Sequence, residues 1–227
     1  MMQPVPEIDY NPDPDLDIEI VHVDDDILIA NKPAGLLCVP GRGAARSVCL
    51  ISLLKPEWGQ LLAPHRLDMD TSGLTLLARN TGAHRALSKA FADRQVEKTY
   101  QALVEGEPDG ETGLIDLPIG RNWDERPRRC IDHKAGKPSQ TSWQKRRALN
   151  GGSLIELKPH TGRTHQLRLH CAAIGHPIIG DKLYGAGKPG ERLCLHANAL
   201  AFAHPVTGKR VDALSRVPFT PEGFVHK

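Results

Sequence analysis

The sequence predicts an α+β fold, with a mixed and mainly antiparallel β-sheet flanked by helices and loops. Three helical stretches are scattered among short strand-like segments, without the regular strand–helix–strand rhythm of a doubly wound parallel sheet. Residues 16–32 carry a hairpin signal, in which two apolar segments flank Asp24-Asp25-Asp26. The 227 residues suit one large domain, and a hydrophobic content of 40% with 25% charged residues provides for an ordinary core.

Residues 1–15 are acidic and proline-rich and are expected to form a flexible leader, with a single domain over 16–227. Leu16 to Val23 alternates as a first strand, and Ile27 to Lys32 forms a second that Pro33-Ala34-Gly35 ends. A short helix is expected from Ser47 to Leu54, with Val48, Ile51 and Leu54 on related faces. After the polar run at 65–73 comes an apolar strand, Leu74 to Ala78. Residues 82–93 read as a helix capped by Thr81, with Ala83, Ala86, Leu87, Ala90 and Phe91 along one stripe. Lys98 to Glu105 and Leu154 to Leu157 are further strands. Thr164 is expected to cap a helix that runs to Ile174 and stops at Gly175.

Composition removes several classes of function. Apolar runs such as Ile27-Leu28-Ile29-Ala30 are far too short to cross a bilayer. The acidic amino terminus is the opposite of a secretory signal, so a cytoplasmic location is expected. Five scattered cysteines without a C-x-x-C pair fit neither a zinc site nor a disulfide framework. Residues 1–27 hold nine Asp or Glu and no Lys or Arg, leaving 29 basic against 18 acidic residues in the rest. The body of the chain is therefore basic and suited to a polyanion. Its densest patch runs from Arg121 to Arg147, where nine Lys or Arg meet three acids and are interleaved with Trp123 and Trp143.

The polar run reads His65-Arg66-Leu67-Asp68-Met69-Asp70-Thr71-Ser72-Gly73. A carboxylate beside arginine is favoured in its ionised form and can act as base or nucleophile, while small hydroxyl residues before glycine permit a tight turn near a ligand. Asp68-Met69-Asp70-Thr71 also matches the D-x-D-x-T start of haloacid-dehalogenase-type phosphotransferases. That motif follows a buried strand, however, whereas here the strand comes after it. His160, His165 and His170 could suggest zinc, but a spacing of five turns successive residues about 140° apart on a helix.

As a whole the run resembles the H-R-L-D-x-x-T-S-G signature of the RluA family of RNA pseudouridine synthases. Asn31-Lys32-Pro33-Ala34-Gly35, Lys98-Thr99-Tyr100, the segment Thr161 to His170, His176 to Asp181 and Leu195-His196-Ala197 resemble further family elements in the same order. The resemblance implies the pseudouridine synthase fold, an isomerase that needs no cofactor or metal, and RNA as partner. In it Asp68 is the essential carboxylate, which either attacks the sugar or removes a sugar proton to give a glycal; both routes need it ionised. Tyr100 is expected to pack on the uracil and assist proton removal from C5, and Arg163 to pair with Asp68. Leu167 would wall the pocket, and Arg66 would fill the space of an extruded base. His65, Thr71, Lys98, His165 and Arg168 are candidate backbone or pocket contacts. The stretch from Arg126 to Thr141 is similar to the short family member that modifies a 23S rRNA loop and tRNA anticodon stem-loops. With no room before the domain for an S4-like module, this favours a compact stem-loop substrate; a monomer is expected. A binding-only descendant of the same fold is the alternative, and the intact Asp68, Tyr100 and Arg163 argue against it.

Overall fold

A computed structural model describes residues 10–188 and 191–219. In chain order the first elements are β1 (Ile20–Val23), β2 (Ile27–Lys32), α1 (Leu50–Trp58), β3 (Ser72–Ala78) and α2 (Thr81–Ala92). They are followed by β4 (Glu97–Glu105), β5 (Thr112–Asp116), β6 (Ile119–Arg121), β7 (Arg129–Ile131) and β8 (Gln140–Leu149). The last are β9 (Gly152–Pro159), α3 (Gln166–Ala173), β10 (Leu195–Ala203) and β11 (Arg210–Leu214). The α+β class is as expected. None of the described helices is long and apolar enough to cross a membrane.

The chain divides into two compact units. The first comprises Tyr10–Thr99 with His196–Val217. Its sheet is mixed: β1, β2 and β3 pair antiparallel in sequence, β10 joins β3 in parallel, and β11 pairs antiparallel with β10. All seven residues of β3 are buried, which explains the unbroken apolar letters after Gly73. One core cluster, including Ile27, Ile29, Leu74, Leu76, Leu87 and Phe202, lies beneath α2. Another gathers Leu28, Ala30, Leu36, Leu77 and the α1 residues Leu50 and Leu54.

The second unit covers Tyr100–Leu195 with Pro218 and Phe219 among its described residues. Its strands β4, β9, β8 and β5 are antiparallel in that order, and β6 and β7 form a separate two-stranded arm. Ala102, Val104, Ile155 and Leu157 pack with Leu167 and Cys171 of α3 into a single core.

The expected elements are present, with several shifts at their ends. The first strand begins at Ile20 rather than Leu16. Asn80, not Thr81, caps α2: its side-chain oxygen accepts the Ala83 N–H at 2.8 Å. Ala86 is exposed, so the buried stripe of that helix is narrower than its sequence pattern. Helix α1 starts at Leu50, where the Cys49 thiol accepts the Ser52 N–H. Thr164 caps nothing; α3 begins after His165, whose left-handed backbone ends the preceding loop. Of the expected leader, residues 1–9 lie outside the described ones. Tyr10 is held, its hydroxyl donating to Val48 O at 2.7 Å and accepting the Leu37 N–H at 3.1 Å.

Candidate active site

The run 65–73 forms the approach to β3, and nearly every residue in it has a separate anchor. His65 stacks on Phe91 with ring centroids 4.4 Å apart, and its Nε2 accepts the Leu76 N–H at 2.9 Å. That acceptor role requires a neutral ring. Burial, and then the charge of Lys98, push its pKa down to about 3. Lys98 is half-buried, and burial lowers its own pKa. Leu67 is clamped by Cys38, whose thiol donates to Leu67 O at 3.4 Å and accepts the Leu67 N–H at 3.2 Å.

Asp68 is half-buried and opens a tight turn in which the Thr71 N–H donates to Asp68 O at 3.2 Å. The turn is tied from below by Lys32, which is fully buried. Its ammonium donates to Pro33 O, Leu36 O and Met69 O at 2.8, 2.7 and 2.9 Å. The Gly35 N–H adds a bond to Met69 O at 2.9 Å. A buried ammonium is tolerated when its donors are satisfied, and three carbonyls meet that need here. Arg66 is exposed and Thr71 buried. Asp68 thus precedes a buried strand instead of ending one, the reverse of the phosphotransferase arrangement.

Thr71-Ser72-Gly73 meets Leu195-His196-Ala197 in the parallel ladder, where His196 faces Ser72 and Ala197 faces Gly73. The Ser72 hydroxyl lies 2.9 Å from His196 Nδ1, and His196 Nε2 lies 2.8 Å from the Ser215 hydroxyl. Gly73 has φ +117°, and a Cβ there would fall 2.3 Å from Ala197 O. Only glycine permits this approach. Two of the sequence motifs are therefore the two halves of one structural joint.

In the second unit Tyr100 lies on β4 opposite Leu157 and packs on the core that contains Leu167. Arg163 occupies the loop before α3, with its Nε 3.5 Å from Pro138 O and its N–H donating to Gln166 Oε1 at 3.0 Å. Gln166 is buried and fully employed: Oε1 also accepts from the Thr161 hydroxyl, and Nε2 donates to Gln140 O and the Thr141 hydroxyl oxygen. His165 adopts φ +58°, a conformation that costs a non-glycine residue about 1 kcal/mol or more, so its surroundings must hold it. Tyr184 does so, its hydroxyl 2.9 Å from His165 Nδ1 while it accepts the Arg129 N–H at 2.7 Å.

Arg168 is buried and pairs with the fully buried Asp181 through two bonds, Nε to Oδ2 at 2.8 Å and Nη2 to Oδ1 at 2.7 Å. Burial pulls the Asp181 carboxyl upward. The Arg168 bonds and charge, with the Leu183 and Tyr184 N–H groups, outweigh it and hold the carboxyl below its ordinary range.

The three histidines of the zinc reading go separate ways. His160 Nε2 lies near the Ser142 hydroxyl and His165 near Tyr184, while His170 bridges Thr141 and Leu117 O. Among the described residues, Asp24, Asp26 and His204 bring potential ligand atoms within 4.8 Å of one another. Each already has protein partners: Asp26 Oδ1 accepts from Asn80 Nδ2 at 2.8 Å, and His204 Nδ1 accepts the Val206 and Thr207 N–H groups. Asp24 Oδ1 accepts the Asp26 and Ile27 N–H groups, its Oδ2 meets His22 and His204, and its pKa lies at about 2.

Site residues that the sequence reading did not single out are Lys32, Cys38, His196, Tyr184 and Asp181. All except Cys38 and Tyr184 stood inside quoted motifs, so their signal was present without a partner to interpret it.

A family model described as RNA pseudouridylate synthase matches residues 26–173. The protein named dual-specificity RNA pseudouridine synthase RluA in Pasteurella multocida is 45% identical over 204 residues, covering 88% of this chain and 93% of that one. Its namesake in Escherichia coli K12 is 39% identical over 203 residues, with the same coverage of 88% and 93%. Among solved structures, human RNA Pseudouridylate Synthase Domain Containing 1 aligns with a TM-score of 0.78 at 30% identity, covering 93% of this chain and 88% of that chain. With the family model spanning well over half its length and relatives aligned almost end to end, this chain belongs to the RNA pseudouridylate synthases.

Proposed function

We propose that this pseudouridine synthase acts through Asp68, Tyr100 and Arg163 on a compact RNA stem-loop, with a 23S rRNA loop and the tRNA anticodon arm as its two targets. The observation that carries this reading is the fixed turn at Asp68. Lys32, Cys38 and His65 immobilise the backbone on both sides of the carboxylate, as a reacting group requires for orientation. The net reaction breaks the bond from C1′ to N1 and forms one from C1′ to C5. The C5 proton is surrendered and N1 gains one, so no redox partner is consumed.

In this scheme Asp68 is the ionised group at the sugar, Tyr100 packs on uracil and takes part in C5 deprotonation, and Arg163 keeps Asp68 charged and oriented. Leu167 supplies apolar wall. Arg66, exposed beside Asp68, fills the stack left by the extruded uridine, whose removal costs a few kcal/mol. Lys98 and Thr71 support the pocket, and His65, His165 and Arg168 act by positioning backbone. Dual targeting rests on the names of the relatives and on the similarity of the 126–141 segment to the short family member. The enzyme is read as a cytoplasmic monomer with a leader over residues 1–15.

Replacing Asp68 by Ala or Asn is expected to abolish pseudouridine formation, a loss of at least about 10³-fold, while RNA affinity stays within a few-fold. Surviving activity would remove Asp68 from its role. Mapping pseudouridine in rRNA and tRNA from cells with and without the protein tests the targets. Loss at neither RNA would sink the substrate reading.

A further inference from the structure

The arm formed by β6 and β7 is built unlike the rest of the surface. Its strands are three residues each, paired as Ile119–Ile131, Gly120–Cys130 and Arg121–Arg129, and the connecting loop carries Trp123. Trp123 is 61% exposed, in a protein where aromatic residues are only 4% of the chain. A single exposed apolar side chain is ordinary, so it is the company of this indole that sets it apart. The Arg126 guanidinium carbon lies 4.7 Å and that of Arg121 5.2 Å from its ring centroid, so two cations gather on one aromatic group.

The charges of the arm are not balanced internally. Arg128 pairs with Glu125 at 3.4 Å, but Arg121, Arg126 and Arg129 have no carboxylate partner among the described residues. Arg129 Nε is buried and has no hydrogen-bond partner among them. The base of the arm is nevertheless well fixed. The Tyr184 hydroxyl accepts the Arg129 N–H, and the Pro118 carbonyl accepts the Asp132 N–H at 2.9 Å. A rigid stem thus presents a flat aromatic surface with unneutralised guanidinium groups, the combination that stacks unpaired bases and holds phosphates.

We propose that this arm is a second RNA contact, distinct from the pocket that takes the reacting uridine. Trp123 stacks an unpaired nucleobase of the substrate, and Arg121, Arg126 and Arg129 neutralise neighbouring phosphates. This rests on the reading of a structured RNA as substrate and adds where, beyond the target base, that RNA is held.

The test uses the full chain with Trp123→Ala, Trp123→Phe and the double variant Arg121→Ala/Arg126→Ala. The probe is an anticodon stem-loop RNA, followed by fluorescence anisotropy over a salt series and by steady-state pseudouridine formation. Because Trp123 is exposed, the melting temperature should stay at its wild-type value, as a check on folding. Trp123→Ala should raise Kd about 5- to 150-fold, the loss of one base–aromatic stack. The loss should fall on KM, with kcat at saturating RNA little changed, and Trp123→Phe should recover part of it. The double arginine variant should flatten the slope of log Kd against log salt by about 0.7 to 0.9 for each phosphate contact removed. A Kd for Trp123→Ala within twofold of wild type overturns the arm as a contact, whatever the catalytic result. Weakened binding by the variant, with no pseudouridine formed even by wild type, supports the arm and sinks only the stem-loop reading. Absence of RNA binding by the wild-type chain overturns both.

Discussion

Replacing Gly73 by Ala should be among the most damaging single-methyl additions this protein can receive. The residue has φ +117°, which costs a side-chain-bearing residue about 1–3 kcal/mol by itself. The new Cβ would also meet Ala197 O at 2.3 Å and Ala197 N at 2.5 Å, both backbone atoms that no rotamer change can move. Relief requires β3 and β10 to separate where Ser72 faces His196 and Gly73 faces Ala197. That opening strains the buried Ser72–His196 hydrogen bond, and an unmet buried polar group costs about 1–3 kcal/mol. Together these give a destabilisation of about 2–6 kcal/mol. For a chain of this size it corresponds to a fall in melting temperature of about 4–24 °C. Gly35 provides the contrast: its φ is +84° but a Cβ would meet nothing within 4 Å. Gly35→Ala should therefore show only the backbone cost. Thermal and urea unfolding of both variants decide the matter, with pseudouridine formation assayed well below the lower melting temperature. A melting temperature for Gly73→Ala within about 2 °C of wild type, or equal losses for the two variants, would refute the reasoning.

Arg168→Ala strands the buried Asp181 charge and should destabilise by about 3–5 kcal/mol in urea titration, whereas Arg168→Met with Asp181→Asn should recover a good part of that. Because the Asp181 carboxyl is held below its ordinary range, the stability it contributes is present above the unfolded carboxylate pKa. It is lost as pH falls through the lower folded value, so the wild-type advantage over the double variant should shrink in acid. His65 acts in the same direction in a higher window: with its folded pKa at about 3, unfolding should take up close to one extra proton between roughly pH 6.5 and 3. His65→Gln should remove that proton from the pH dependence of unfolding free energy, and an unchanged slope would show that His65 is not held neutral.

Much of the framework was legible because it depends on neighbours in the chain. Ile27 to Lys32 is the strand its apolar letters announce, and the apolar residues after Gly73 form a strand buried on both faces. Asp68 could be singled out because its motif is contiguous. The caps were harder. Asn80 rather than Thr81 caps α2 because backbone geometry selects whichever side chain reaches the Ala83 N–H, and two adjacent candidates look alike in sequence. Ala86 belongs to the apolar stripe by spacing, yet it is exposed, because spacing along a helix does not say how wide a face its neighbours bury.

The amino-acid sequence by itself determined the α+β class from the mixture of its periodicities, and its contiguous motifs carried the resemblance to a family of RNA-modifying isomerases and singled out Asp68 as the candidate carboxylate. Only the tertiary structure decided which partners Lys32, His196 and Arg168 meet. The Lys32 ammonium could be assigned only once Met69, 37 positions away, was known to accept from it. His196 gained its meaning from Ser72 at a separation of 124 residues. Arg168 turned inward to Asp181, and Trp123 turned outward between arginines. A charged or polar group takes its role from whichever partner satisfies it, and strand pairing rather than chain order delivers that partner.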